Sequence, residues 1–179
     1  TLATRTYLTA DATARTLNND YVLGSSLGFK GTGSLTLNGA TSLTGNTTFT
    51  VDTPQGILTL NGLMGENSVG LSITKQGLGT LILGNNNTFT GGVTVNAGTL
   101  TLAGLNAGST APVFAGTTAT IGDGGMLALL NNGTGSQGLV SYATGITING
   151  VNASANILIG NNGANTANTI EIPSVSLLG

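Results

Sequence analysis

The 179-residue chain contains no cysteine, no histidine and no tryptophan. Without cysteine there is no disulfide framework. Without cysteine and histidine, neither a Ser-His-Asp nor a Cys-His arrangement can be assembled, so Ser136 and Ser141 have no base to activate them. Charge is also scarce: Asp, Glu, Lys and Arg make up 6% of the residues, where an ordinary globular domain carries about 25%. The four cations, Arg5, Arg15, Lys30 and Lys75, are scattered, and nucleic-acid binding needs them clustered. No apolar run approaches the roughly 20 residues of a helical membrane span. The expectations are therefore no nucleic-acid partner and no membrane insertion of this segment. Thr1-Leu2-Ala3-Thr4-Arg5 has neither the basic start nor the apolar stretch of a secretory leader. With Thr in place of an initiator Met, the chain is expected to be a mature or excised piece of a longer product.

What the chain has in quantity is Gly, Thr, Asn and Leu, and their order is most regular from Leu71 to Gly104. Apolar and polar residues alternate in Leu71-Ser72-Ile73, Thr80-Leu81-Ile82-Leu83 and Val93 through Leu102. Alternation with period 2 sets Leu81 and Leu83 on one face of a strand, as it does Leu100 and Leu102. Gly77, Gly79, Gly84 through Asn87, Gly91-Gly92 and Ala97-Gly98 interrupt the bursts. Gly and Asn tolerate the backbone angles of tight corners. The predicted element is a short strand, then a corner, repeated.

The repeat extends upstream. GSLTLNG (Gly33–Gly39), GILTLNG (Gly56–Gly62) and GTLILGN (Gly79–Asn85) share one pattern. Leu35, Leu58 and Leu81 follow one another at steps of 23, Leu37, Leu60 and Leu83 keep the same step, and Leu100 and Leu102 follow after 19. A period of roughly 20 residues with one strand in a constant place marks a solenoid. One turn per repeat would stack these leucines about 4.8 Å apart in a parallel sheet. Asn38, Asn61 and Asn85 recur after the equivalent strands and are expected to hydrogen-bond between turns as an amide ladder. The second half keeps the texture with looser spacing, and Gly104–Ala119 reads as an excursion from the coil. Residues 1–22 hold four of the ten charged residues; they read as a less regular N-terminal cap or exchanged strand, a first coil being the other possibility. Residues 23–179 form the solenoid proper.

Candidate chemistry is thin. The acids are Asp11, Asp20, Asp52, Glu66, Asp123 and Glu171, and glycoside hydrolysis needs two carboxylates about 5–10 Å apart. Asp52, Glu66 and Asp123 are the residues whose placement decides that question. Ile121-Gly122-Asp123-Gly124-Gly125 occurs once and reads as a β-turn rather than a calcium site. Gly31-Thr32-Gly33 lacks the Lys-Ser/Thr ending of a phosphate loop. Lys75 reads as a solvated corner residue that discourages edge pairing, with ligand contact as its alternative. No catalytic residue, cofactor or metal is expected.

Residues 71–104 resemble the autotransporter passenger-associated strand repeat. The matching residues are Ile73-Thr74-Lys75-Gln76-Gly77-Leu78-Gly79-Thr80-Leu81, Asn87-Thr88-Phe89-Thr90-Gly91-Gly92 and Val95-Asn96-Ala97-Gly98-Thr99-Leu100, with Phe89 where the family commonly has Tyr. The resemblance implies an all-β, right-handed parallel β-helix, exported by Gram-negative bacteria and displayed on or released from the cell. The function expected of it is non-enzymatic and structural: a stalk, an adhesin-like passenger in a surface or biofilm matrix, or a self-assembling filament subunit. Its partners would be other copies, joined head to tail or by strand exchange, the rest of a longer chain, or host or matrix glycans. The alternative is a carbohydrate-binding or carbohydrate-degrading β-helix, for which seven aromatics and no Trp make a poor sugar platform.

Overall fold

The computed structural model describes residues 6–103, 118–130, 139–142, 145–151, 154–161 and 169–178. Among them are twenty strands and no helix. Every strand pairing is parallel. Numbered in chain order, strands join as sheets only with partners from the next or previous turn of the coil. Sheet A has eight strands in the order β1 (Tyr7–Thr9), β4 (Ser26–Lys30), β7 (Thr47–Val51), β10 (Ile73–Gln76), β12 (Val93–Val95), β14 (Thr118–Gly122), β17 (Gly145–Asn149) and β20 (Val175–Leu177). Sheet B has seven: β2 (Arg15–Leu17), β5 (Ser34–Leu37), β8 (Ile57–Leu60), β11 (Thr80–Leu83), β13 (Gly98–Leu102), β15 (Gly125–Leu130) and β18 (Asn156–Gly160). The third side is discontinuous, with β3 (Tyr21–Leu23), β6 (Thr41–Leu43) and β9 (Met64–Glu66) in one small sheet. β16 (Leu139–Ser141) and β19 (Thr169–Glu171) form another. The chain visits A, then B, then the third side, and begins again: a parallel β-solenoid.

Alternation decides which residues enter the lumen. In β8 and β11 the second and fourth residues are buried. The register aligns Leu35 with Leu58, Leu58 with Leu81, Leu81 with Leu100 and Leu100 with Leu127. Two residues on, Leu37, Leu60, Leu83, Leu102 and Leu129 form a second column. All ten are buried. Against them pack Phe29, Phe49 and Val51 from sheet A and Met64 and Phe89 from the third side, all fully buried. Burying a Leu or Phe completely contributes about 1.5–3 kcal/mol, so the lumen supplies most of the driving force. The inter-turn ladders satisfy the backbone.

The step between paired residues in sheet B is 20 (Arg15 to Leu35), 23, 23 and 19, then 27 (Leu100 to Leu127) and 30 (Leu127 to Ile157). The roughly 20-residue turn therefore holds for the first part, and later turns are longer. Their extra residues fall between a B strand and the next A strand, where the expected excursion at Gly104–Ala119 and the corners at Asn131-Asn132-Gly133 and Asn161-Asn162-Gly163 lie mostly outside the described residues. Residues 7–23 supply β1, β2 and β3, one strand to each side of the coil.

Candidate functional site

Sheet A presents a column of inward residues in which one member differs in kind. Register partners run Leu27, Phe49, Lys75, Val95, Ile121, Ile148 and Leu177. Lys75 is 0% exposed. The solvated-corner reading of the sequence is therefore corrected: β10 turns this side chain into the lumen. The physical reason is the alternation itself. Ile73 and Lys75 are both inward positions of one strand, with Thr74 and Gln76 facing out.

A buried ammonium needs acceptors, and the corner supplies three. Lys75 Nζ donates to the backbone carbonyls of Gln76 (2.8 Å), Gly77 (2.7 Å) and Ala97 (3.1 Å). Two of these carbonyls precede a glycine with positive φ, Gly77 at 77° and Gly98 at 63°. Only glycine takes that conformation readily, and there is no room for more. A Cβ on Gly77 would lie 2.3 Å from the Val51 carbonyl oxygen, and one on Gly98 2.4 Å from that of Gly77. The left-handed corner thus turns carbonyls toward the lumen, and the ammonium meets them from two successive turns at once. Charge without a carboxylate partner is costly in the interior; burial pushes Lys75 down to about 8.

The amide ladder is partly side chain to side chain. Asn61 Nδ2 donates to Asn38 Oδ1 (3.2 Å), and Asn38 Nδ2 donates to Oδ1 of Asn18 (2.9 Å), a member the sequence pattern missed. Asn85 departs from it: its Nδ2 donates to the Asn61 backbone carbonyl (3.1 Å) and its Oδ1 accepts the Asn86 N–H (2.8 Å). Asn87, also missed, is buried where the third side lacks a strand. Its Oδ1 accepts the Met64 N–H (2.9 Å) and its Nδ2 donates to the Asn85 carbonyl (2.9 Å), filling the ladder with a side chain. The run Asn85-Asn86-Asn87 was the available signal.

The three acids that were to decide the catalytic reading lie apart. Asp52 follows β7 and faces Lys30 Nζ at 3.9 Å, which in turn sits 4.3 Å above the Tyr7 ring. Asp123 belongs to the same side of the coil three strand spacings away, about 14 Å. Glu66 ends β9 on the third side. Its Oε2 accepts the Leu71 N–H (2.9 Å) and its Oε1 the Thr90 hydroxyl (2.5 Å), holding the exposed turn 67–70. Burial raises its pKa, and the hydrogen bonds from Thr90, Leu71 and Gly70 outweigh this and lower it. Among the described residues no three His, Cys, Asp or Glu side chains gather as metal ligands. No helix among them is long and apolar enough to cross a membrane. What the best-built locus can do is mechanical: it ties successive turns together.

No curated protein and no solved structure matches the chain. One family does. Residues 73–102, which open with β10, close with β13 and hold Lys75, Gly77, Ala97 and Gly98, match the passenger-associated-transport-repeat, so the autotransporter passenger repeat identified on sequence is carried by the stretch that contains the lysine corner.

Proposed function

We propose that this polypeptide is an extracellular structural element of a Gram-negative bacterium, a non-enzymatic β-solenoid of the passenger type that serves as stalk, adhesive surface or fibre subunit. The matched repeat supports the passenger reading and the outward destination. The observation that carries the assembly reading is the surface at β18 and β20. Among the described residues β20 pairs only with β17, and β18 only with β15. The Leu158, Ile159, Val175, Leu177 and Leu178 side chains there are exposed, Leu177 to 75%. Open strand edges beside apolar side chains are surfaces that further coil covers. That coil is either more of the same polypeptide or another copy, joined end to end or by strand exchange; host or matrix glycans would contact the outer faces of sheets A and B.

Electron microscopy and sedimentation of the purified 179-residue chain test this reading. Rods whose length grows with concentration are expected, and Leu177→Lys with Val175→Lys reduces them to short single rods. Monodisperse rods at all concentrations, unaltered by the lysines, would remove the fibre and leave the stalk. Hydrolysis of a surface polysaccharide would remove the non-enzymatic reading.

A further inference from the structure

The lumen is chemically repetitive, and repetition creates a problem of register. Slipping one strand past its neighbour by one residue exchanges inside for outside and is strongly disfavoured; a slip of two keeps every apolar residue inward. Between β10 and β12 the hydrophobic cost of such a slip is small. Ile73 and Lys75 pair with Val93 and Val95, so moving by two in one direction still sets one β-branched residue, Ile73, against another, Val95. Outward, Thr74 pairs with Thr94, and the slip sets Asn96 or, the other way, Gly92 opposite Thr74, again a small residue. The leucine columns of sheet B resist the error only in part: Leu81 and Leu83 stand two apart and face Leu100 and Leu102, also two apart, so a slip of two keeps one leucine pair and loses the other.

Lys75 is where that degeneracy ends. Its ammonium meets the Ala97 carbonyl of the following turn and the Gln76 and Gly77 carbonyls of its own only when both left-handed corners lie one above the other. Displaced by two residues, Ala97 moves about 6.6 Å along the strand direction, beyond hydrogen-bond reach, and the buried cation loses an acceptor it cannot replace with water. A single buried polar group that fixes register at a cost in stability is the best-attested use of such groups. We infer that Lys75 is the register key of this coil, a positioning residue that locks β10–β11 to β12–β13 through the two glycine corners.

The absence of native cysteine makes the test direct. Three cysteine pairs are placed on outward positions: Thr74→Cys with Thr94→Cys reports the native register, Thr74→Cys with Asn96→Cys a slip of two one way, and Gln76→Cys with Thr94→Cys a slip of two the other way. Diagonal partners lie too far apart to bridge in the native coil. With Lys75 in place, only the first pair is expected to cross-link under mild oxidation. In Lys75→Met, which keeps the stem and removes the ammonium, a slipped pair is expected to form at the expense of the native one. Lys75→Arg, which keeps a donor cation, restores the native pair. Should the methionine variant not fold, Lys75→Gln is expected to give the same redistribution at lower yield. A Lys75→Met or Lys75→Gln chain that cross-links only through the Thr74→Cys and Thr94→Cys pair, whatever its melting temperature, would overturn the inference, since a lysine that acts on stability alone moves the melting temperature without changing the pattern.

Discussion

The first and last described turns of the solenoid are built differently. The leucine column of sheet B ends at β2 in Arg15, the register partner of Leu35, and at β18 in Ile157, the register partner of Leu127. At the β2 end Arg15 donates to Asp11 at 2.7 Å, and both are well exposed. Leu8, Leu17 and Leu35 line a hollow together with them. At the β18 end the parallel column closes with Ile159, and sheet A closes with Val175 and Leu177; no charged residue falls within 173–179. A charge set where the interior would continue blunts an edge, because covering it would strip water from the ion. The same column thus presents a polar face in its first described turn and an apolar one in its last.

The largest effect separates the interior from both ends. Leu81→Ala, in the middle of its column, is expected to destabilise by about 3 kcal/mol, read as an earlier denaturant midpoint. Ile159→Ala at the exposed end should cost a small fraction of that. Equal losses would mean that the ends are as well covered as the middle.

The second effect is one of pH and isolates Lys75. Its pKa falls from 10.5 to about 8 on folding because burial disfavours the charged form. Below pH 8 the ammonium is protonated in both states and the stability contribution is flat. Between about pH 8 and 10 the folded state gives up its proton first, so the unfolded state binds more protons and stability rises with pH. Above about pH 10 the buried Tyr142, whose pKa burial raises, opposes the trend, because its unfolded phenol ionises first. The melting temperature should climb across the window between the folded and unfolded lysine values, and Lys75→Met should abolish the climb. A flat profile in the parent chain would contradict it.

Smaller still is the effect of making the ends alike. Arg15→Leu continues the apolar column to the β2 terminus and is expected to increase self-association in sedimentation with little change in melting temperature. If it leaves association unchanged, the polar terminus is not what blunts that edge. Smallest is Asn61→Ala in the exposed amide ladder, about 1 kcal/mol for the lost hydrogen bond, measured by chemical denaturation. A loss above about 2 kcal/mol would exceed what one such bond contributes and make the ladder a principal support of the coil.

The strand-and-corner rhythm, the parallel all-β class and the alignment of Leu35, Leu58, Leu81 and Leu100 were all legible, because a period of 2 within strands and of about 23 between them leaves few other ways to bury the leucines. Residues whose role depends on a neighbouring turn were less legible. Asn18 and Asn87 do their work with partners 20 and 23 residues away, outside the window in which local pattern speaks. Lys75 was misplaced for a related reason: hydrophilicity suggested solvent, while the alternation of Ile73, Thr74 and Lys75 pointed inward, and the geometry of the strand won.

By itself, then, the sequence determined that this protein coils, since apolar alternation and recurrent Gly and Asn specify strands and corners wherever they stand. Only the tertiary structure decided that the corners at Gly77 and Gly98 would bring three carbonyls around one ammonium, and that the column would end in Arg15 on one side and Ile157 on the other. Those outcomes depend on which turn lies against which, and contact between turns exists only once the coil has closed.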